Sequence, residues 1–197
     1  MSRPVIIGCT GGIGSGKTNV VRTFESLGIP GYDCDTRAKE LYDEDAELLA
    51  EVARIAGDDV IVEGRLDRSR LAARIFSDRD MLSALESVVH PAVIRDFSRW
   101  LQEQNTKLVI FESAILLDKP YLREIADFLL LVTAPREVRI ARVMARDGLS
   151  REAVEGRMAH QMSDEQRSRM ADYTIETNDR DAILPQLLSI IQKWQQI

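Results

Sequence analysis

The chain has 197 residues, 45% of them hydrophobic, enough for one α/β domain with insertions and a sizeable core. Its net charge of -6 argues against a nucleic-acid-binding surface, and the absence of any 18-residue apolar run argues against a membrane span. Only two cysteines occur, Cys9 and Cys34, which makes no disulfide framework; with no secretory-leader pattern either, a cytoplasmic location is expected.

In chain order, Val5-Ile6-Ile7-Gly8-Cys9 reads as a buried strand, followed by Gly11-Gly12-Ile13-Gly14-Ser15-Gly16-Lys17-Thr18. That octapeptide fits G-x-x-x-x-G-K-[ST], the phosphate-binding loop, at every fixed position. A helical pattern comes next, with Val20, Val21, Phe24 and Leu27 on one face and Gly28 placed to end it. Strand, glycine loop and helix in this order point to a nucleoside triphosphate site. Glycines let successive N–H groups point into one concavity, and the helix N-terminus adds partial positive charge behind them. Gly12, Ile13, Gly14, Ser15, Gly16, Lys17, Thr18 and Asn19 are the residues expected to bind the nucleoside triphosphate; Lys17 reaches the β- and γ-phosphates and Thr18 holds Mg²⁺.

Ile29 to Tyr32 read as a short second strand, and Asp33-Cys34-Asp35 leads into a helix with Ala38 and Leu41 on its apolar side. From about residue 36 to 105 the pattern is helical. Leu48, Leu49, Val52 and Ile55 form a stripe closed by Gly57, Val60 to Val62 read as a short extended piece, and Asp67 is placed to cap a helix carrying Leu71, Ile75 and Phe76. One helix is expected over Met81 to Val89, an interruption at His90-Pro91, and a second helix carrying Val93, Ile94, Phe97 and Leu101. So long a helical block exceeds a simple crossover and reads as an inserted domain. Strands resume at Leu108 to Phe111 and Phe128 to Val132. Pro135 opens a helix that runs to Asp147 with Gly148 behind it. Residues 149 to 170 are arginine-rich and poor in large apolar side chains, with a capping box at Ser163 and Gln166. Tyr173 to Glu176 form the last strand, and Ala182 to Trp194 the closing helix. The strands are expected to be parallel, with the loop, Asp33-Cys34-Asp35, Glu112 and Asn178 at their carboxyl edge, where ligands of such sheets bind.

Several of these residues have a chemical and a bland reading. Asp33 and Asp35 suit a general base or a water-mediated Mg²⁺ ligand, but aspartates before a helix are commonly N-caps, the more so for Asp33. Glu112 is either an acidic neighbour of Mg²⁺ or a solvated strand end. Arg139, Arg142 and Arg146 share one helical face; an arginine cluster can neutralise a transferring phosphoryl group, although an exposed face balanced by Glu137, Asp147 and Glu152 explains most of them, least so Arg142 and Arg146. His90 before a proline is more often structural than a ligand. The two aspartates flanking Cys34 would raise its thiol pKa, which disfavours it as a nucleophile.

Taken together, these residues resemble the dephospho-CoA kinases from end to end. Thr10-Gly11-Gly12-Ile13-Gly14-Ser15-Gly16-Lys17 is similar to that family's T-G-G-I-G-S-G-K, and Asp33-Cys34-Asp35 falls at its D-A-D. Leu71-Ala72-Ala73-Arg74-Ile75-Phe76 and His90-Pro91 resemble its substrate-domain motifs; Arg142, Arg146-Asp147, Gln161, Ala171-Asp172 and Asn178 fit its lid and adenine-side positions. Lys39 stands where an arginine is usual, with Arg37 close by, and Ala114-Ile115-Leu116-Leu117-Asp118 replaces the usual P-L-L-[FY]-E.

The resemblance implies a three-layer α/β/α phosphate-loop fold with a five-stranded parallel sheet. It implies one kinase domain with a core of residues 1–35, 106–147 and 171–197, a helical substrate insertion at 36–105 and a lid at 148–170. The activity implied is ATP- and Mg²⁺-dependent phosphorylation of the ribose 3′-hydroxyl of dephospho-CoA. Asp35, Lys17, Asp33, Arg142 and Arg146 would be catalytic. Arg142 and Asn178 would join the loop in binding ATP, and Asp35, Lys39, Arg74 and His90 would bind the acceptor. Thr18 and, through water, Asp35 would hold the metal. The partners expected are ATP and dephospho-CoA, with no nucleic acid or membrane, on a monomer or small homo-oligomer. The alternatives are another small-molecule or nucleotide kinase of the same fold, or a nucleotide-dependent switch; against the switch, no N-K-x-D and no D-x-x-G after a strand occurs.

Overall fold

The computed structural model describes residues 3–75, 78–178 and 182–194. In chain order the elements are β1 (Val5–Thr10), α1 (Lys17–Ser26), β2 (Gly31–Asp33), α2 (Cys34–Glu44), α3 (Ala46–Ala56), a 3₁₀ turn (Asp58–Val60), β3 (Ile61–Val62) and β4 (Arg65–Leu66). Then come α4 (Arg68–Ile75), α5 (Arg79–Gln102), β5 (Leu108–Glu112), α6 (Pro120–Arg123), β6 (Phe128–Thr133) and α7 (Arg136–Asp147). The last are α8 (Arg151–Ala159), α9 (Asp164–Met170), β7 (Tyr173–Glu176) and α10 (Ile183–Trp194). Contacts divide the chain into two compact units: residues up to Tyr32 together with those from Asn105 on, and Asp33–Gln104.

The first unit is built on a five-stranded sheet in the order β2-β5-β1-β6-β7. Ile7 pairs with Ile110 and with Phe128 in parallel register, and Leu130 with Tyr173. The strands are near-continuous apolar runs because both faces are covered. Ile7, Cys9, Ile110, Leu130 and Val132 face a core closed by Val20, Val21 and Phe24 of α1 and by Leu187, Ile190, Ile191 and Trp194 of α10. The alternate residues face the other way, where any side chain at Gly8 would collide with Leu116 and Ala126. Leu116 and Leu117, which replace the family's usual stretch, are thus buried packing residues. Leu27 does not join the α1 face: it is the C-cap and is exposed, and Gly28 turns the chain at positive φ. β2 lies slightly later than the strand expected over Ile29 to Tyr32, since Pro30 supplies no N–H; its carbonyl accepts from Ile110.

The second unit is helical apart from a two-residue hairpin that the sequence pattern did not show. Glu63 and Gly64 both have positive φ, as a tight hairpin of this length requires. Leu48, Val52 and Ala56 bury one face of α3, and Asp67 caps α4 by accepting from the Ser69 and Arg70 amides; Phe76 lies outside the described residues. The break expected at His90-Pro91 is not there. α5 runs through Pro91 for 24 residues, because Leu85, Val89, Ala92, Val93 and Phe97 form one continuous buried face. The proline forfeits a single bond, to the Ser87 carbonyl, on the exposed side. Arg37 ties α2 to α5, with Nε 2.9 Å and Nη2 3.1 Å from the two oxygens of Asp96, and also meets Glu40 and Glu44.

Pro91→Ala restores that missing hydrogen bond at a solvent-facing position. Urea unfolding is expected to show a gain of about 1–2 kcal/mol, the propensity difference less the unfolded-state entropy that proline removes. A loss of stability would mean that the proline shapes α5.

Candidate active site

The phosphate loop is a matter of where its carbonyls go. A peptide unit is planar and trans, so its N–H and C=O point in opposite directions. A loop that turns N–H groups inward to an anion turns carbonyls outward, and each needs a donor. Here every carbonyl from Gly11 to Gly16 has one. Lys17 Nζ donates to Gly11 (3.0 Å), the Ser15 amide to Gly12 (3.1 Å), Arg139 Nε to Ile13 (2.9 Å) and Arg142 Nη1 to Gly14 (3.4 Å). The Thr177 hydroxyl donates to Ser15 (2.5 Å), and the Asn19 and Val20 amides to Gly16. Gly14 and Gly16 sit at φ 77° and 91°, which curls the loop, and α1 starts at Lys17 with no side-chain cap on its first amides. The result is a concave nest of donors at a helix N-terminus, the environment that attracts phosphate. The hydroxyl oxygens of Thr10 and Ser15 are buried beside it and have no partner among the described residues.

The loop is held from outside by α7 and the segment after it. Arg139 is 4% exposed and Arg167 2%; both guanidinium groups pair with Asp164 of α9. They crowd Gly12 so closely that a Cβ there would lie 2.1 Å from Arg139 Nη2 and 2.8 Å from Arg167 Nη1. Burial lowers the Arg167 pKa and Arg139 adds to that, against Asp164 and Asp118. The Ile13 amide donates to Gln161 Oε1 at 2.9 Å, and the Ile13 side chain packs with Ile140, Val143, Val154, Leu149 and Met158. Residues 149–170, expected to be poor in large apolar side chains, bury Val154 fully, and Ser163 and Gln166 do form the capping box. Arg167 and Thr177 are residues that pattern reading did not place at the site, and Arg139, read as part of a largely exposed arginine face, is buried. A buried arginine carries no periodic signature, and a threonine one residue past a strand carries none either.

The arginines of α7 do different things. Arg142 Nη1 also donates to Thr177 Oγ1 at 2.8 Å, at the foot of the loop. Arg146 has a side chain 64% exposed and pairs with Asp147, which raises the arginine pKa and lowers that of the aspartate. Glu112 is 6% exposed, so it is not a solvated strand end. Its charge, after burial itself, pushes the neighbouring Cys9 thiol pKa up, partly offset by Lys17. Thr18 is exposed at the first turn of α1, and Asn178 follows Thr177 at the carboxyl end of β7. Asp172 is occupied with structure: its carboxylate accepts from the Leu129 amide.

In the helical unit the two aspartates separate. Asp33 is the N-cap of α2; its carboxylate accepts from the Asp35 and Thr36 amides and from the Thr36 hydroxyl. Asp35 is not the cap. It lies exposed in the first turn, one turn before exposed Lys39 on the same face of α2. Arg74 donates to the Ala56 carbonyl and to Asp59, and His90 is half-buried within α5.

A parallel sheet with a phosphate loop after its central strand and helices on its faces defines a phosphate-loop α/β protein. Shikimate kinase from Acinetobacter baumannii shares the fold, with a TM-score of 0.54 at 20% identity over 98% of this chain and 94% of its own. The model of the dephospho-CoA kinase family (CoaE) fits residues 5–182, and the chain belongs to that family. It is 39% identical over 189 residues to the dephospho-CoA kinase of Porphyromonas gingivalis, covering 95% of this chain and 93% of that protein. The crystal structure of TT1252 from Thermus thermophilus superposes with a TM-score of 0.86 at 38% identity, over 98% of both chains. No helix among the described residues is long and apolar enough to cross a membrane.

Gly14→Ala tests the nest. A Cβ there would lie 2.6 Å from the Arg139 backbone carbonyl and would sit on a residue at positive φ. Thermal or urea unfolding is expected to show a loss of about 1–3 kcal/mol, the usual cost of such strain. ADP binding should weaken with it; unchanged affinity would mean the nest does not bind the phosphates.

Proposed function

We propose that this protein transfers the γ-phosphoryl group of ATP to the ribose 3′-hydroxyl of dephospho-CoA in the cytoplasm, giving CoA and ADP. The observation that carries the reading is a phosphate loop with every carbonyl tied outward, on a chain that belongs to the dephospho-CoA kinase family along residues 5–182. A loop built to hold a polyphosphate supplies most of what phosphoryl transfer asks of a protein, since that reaction depends on positioning and charge stabilisation.

Within this reading the amides of Gly14 to Thr18 hold the β- and γ-phosphates, and Lys17 moves from the Gly11 carbonyl to the phosphates. Asp35 takes the proton of the 3′-hydroxyl; Asp33, the helix cap, keeps Asp35 in place on the first turn of α2. Arg142 and Arg146 balance charge on the transferring group, and Asn178 lies on the adenine side. Lys39, Arg74 and His90 belong to the insertion at 36–105, which receives the acceptor; residues 148–170 act as the lid that keeps water from the phosphoryl group. Mg²⁺ fits the donors available. Such an ion takes most of its ligands from phosphate and water and needs few from the protein. The Thr18 hydroxyl, with Asp35 through water, would hold it, and when bound it neutralises developing charge on the phosphates.

ADP release by the purified protein should be stimulated by dephospho-CoA, with CoA as the product. Hydrolysis of ATP at the same rate without the acceptor would instead make the protein a nucleotide-dependent switch. Lys17→Ala should lower kcat by on the order of 10²-fold, the usual loss for one preorganised electrostatic contact. Asp35→Asn should lower kcat by roughly 10²- to 10⁴-fold with ADP affinity and stability unchanged, the usual worth of a general base. Asp33→Ala should cost about 1 kcal/mol of stability, as loss of an N-cap does. A larger kinetic loss from Asp33→Asn than from Asp35→Asn would exchange their roles.

A further inference from the structure

We propose that Thr177 is a positioning residue for nucleotide binding: its hydroxyl fixes the Ser15–Gly16 peptide so that the Gly16 N–H faces the phosphates. The proposal rests on the reading of the loop as the ATP site and adds a residue to it.

Thr177 is 2% exposed and follows β7, where its amide still donates to the Thr133 carbonyl and so fixes its backbone on the sheet. From there the side chain reaches the foot of the loop: Thr177 Oγ1 lies 3.1 Å from where a Cβ on Gly16 would stand. The hydroxyl has one proton and gives it to the Ser15 carbonyl at 2.5 Å, while its oxygen accepts from Arg142 Nη1 at 2.8 Å. Arg142 thereby settles the direction of the hydroxyl, because a donor on one side leaves the proton to point to the other. Donation from a charged partner also polarises the O–H and strengthens its own donation.

The consequence follows from the peptide plane. With the Ser15 oxygen drawn toward Thr177, the Gly16 N–H of the same peptide must point the opposite way. Gly16, at φ 91°, has no side chain to resist rotation of that peptide, so the loop alone does not hold the orientation. Ile13 is held in the same manner by Arg139, whose own partner is Asp164. Among the described residues the donor to the Ser15 carbonyl is this neutral hydroxyl, so removing its proton takes that donor from a buried carbonyl. Rotation of the peptide then becomes favourable, and a rotated peptide presents an oxygen, not an N–H, to the phosphates.

Thr177→Val keeps the shape of the side chain and removes the hydroxyl; Thr177→Ser keeps the hydroxyl and removes a methyl group. Calorimetric titration of the full chain with ADP and Mg²⁺ should give a dissociation constant about 10-fold higher for Thr177→Val, the usual effect of losing one hydrogen bond of this kind. Thr177→Ser should stay within about 2-fold of the parent, and the dissociation constant for dephospho-CoA should be the same in all three. Should Thr177→Val fail to give a cooperative melt, Thr177→Ala replaces it with the same expectation. ADP affinity equal to the parent's in the variant without a hydroxyl overturns the proposal. So does an equal loss in Thr177→Ser, which would make Thr177 a packing residue. The experiment reads nucleotide binding alone, so a parent that binds ADP but is not stimulated by dephospho-CoA would reject the proposed reaction and leave this inference standing.

Discussion

An inward-facing amide obliges an outward-facing carbonyl, and much of the sheet-bearing unit is arranged around that obligation. The six carbonyls from Gly11 to Gly16 are met by local amides, by Lys17, and by three side chains from distant parts of the chain, Arg139, Arg142 and Thr177. Two of those side chains come from α7 and one from the end of β7, so the order of the strands is what delivers them. β1 carries the loop, β6 lies beside it and leads into α7, and β7 lies beside β6. The sheet therefore places the loop's donors as well as the loop.

The outer arginines also explain the shape of the segment after α7. Two buried guanidinium groups beside a glycine would be costly without a carboxylate, and Asp164 supplies it from the first turn of α9. Asp164 is thus a helix-start residue, next to the Ser163 cap, and a counter-ion at once. Gln161 adds a direct bond to the Ile13 amide. Residues of α7, of α9 and of the connection before α9 all bear on one loop residue, Ile13, through its amide, its carbonyl and the arginine that holds that carbonyl.

What the sequence made legible follows from which features leave a local trace. The five strands, the loop, α7 with Gly148 behind it, the Ser163 capping box and the Asp67 cap were all marked by periodicity or by capping residues, and all are present. The continuous α5 was not legible, because Pro91 gives a strong local stop signal while the buried face that overrides it spans more than three turns. The 63–64 hairpin was missed for want of alternation in strands of two residues. Within the site, the sequence put Lys17 and the loop on one turn, but left Asp33 and Asp35 as rival caps. Only coordinates show the Asp33 carboxylate on the Asp35 and Thr36 amides. Arg139 read as a member of a largely exposed charged face and Arg167 as part of the charged segment after it, yet both are buried, because their partners, Ile13 and Asp164, are set by the fold.

The central claim is that the loop amides of Gly14 and Gly16 are aimed at a phosphate before it arrives. Glycine-labelled ¹H–¹⁵N spectra recorded through a titration with ADP and Mg²⁺ test it directly. Gly28 and Gly64 are also at positive φ but are no part of the loop, and a Cβ built on either would meet nothing within 4 Å. The account predicts downfield movement of the Gly14 and Gly16 amide protons, as hydrogen bonds to phosphate form, while Gly28 and Gly64 stay in place. Gly14 and Gly16 resonances that do not move as ADP saturates the protein would contradict it.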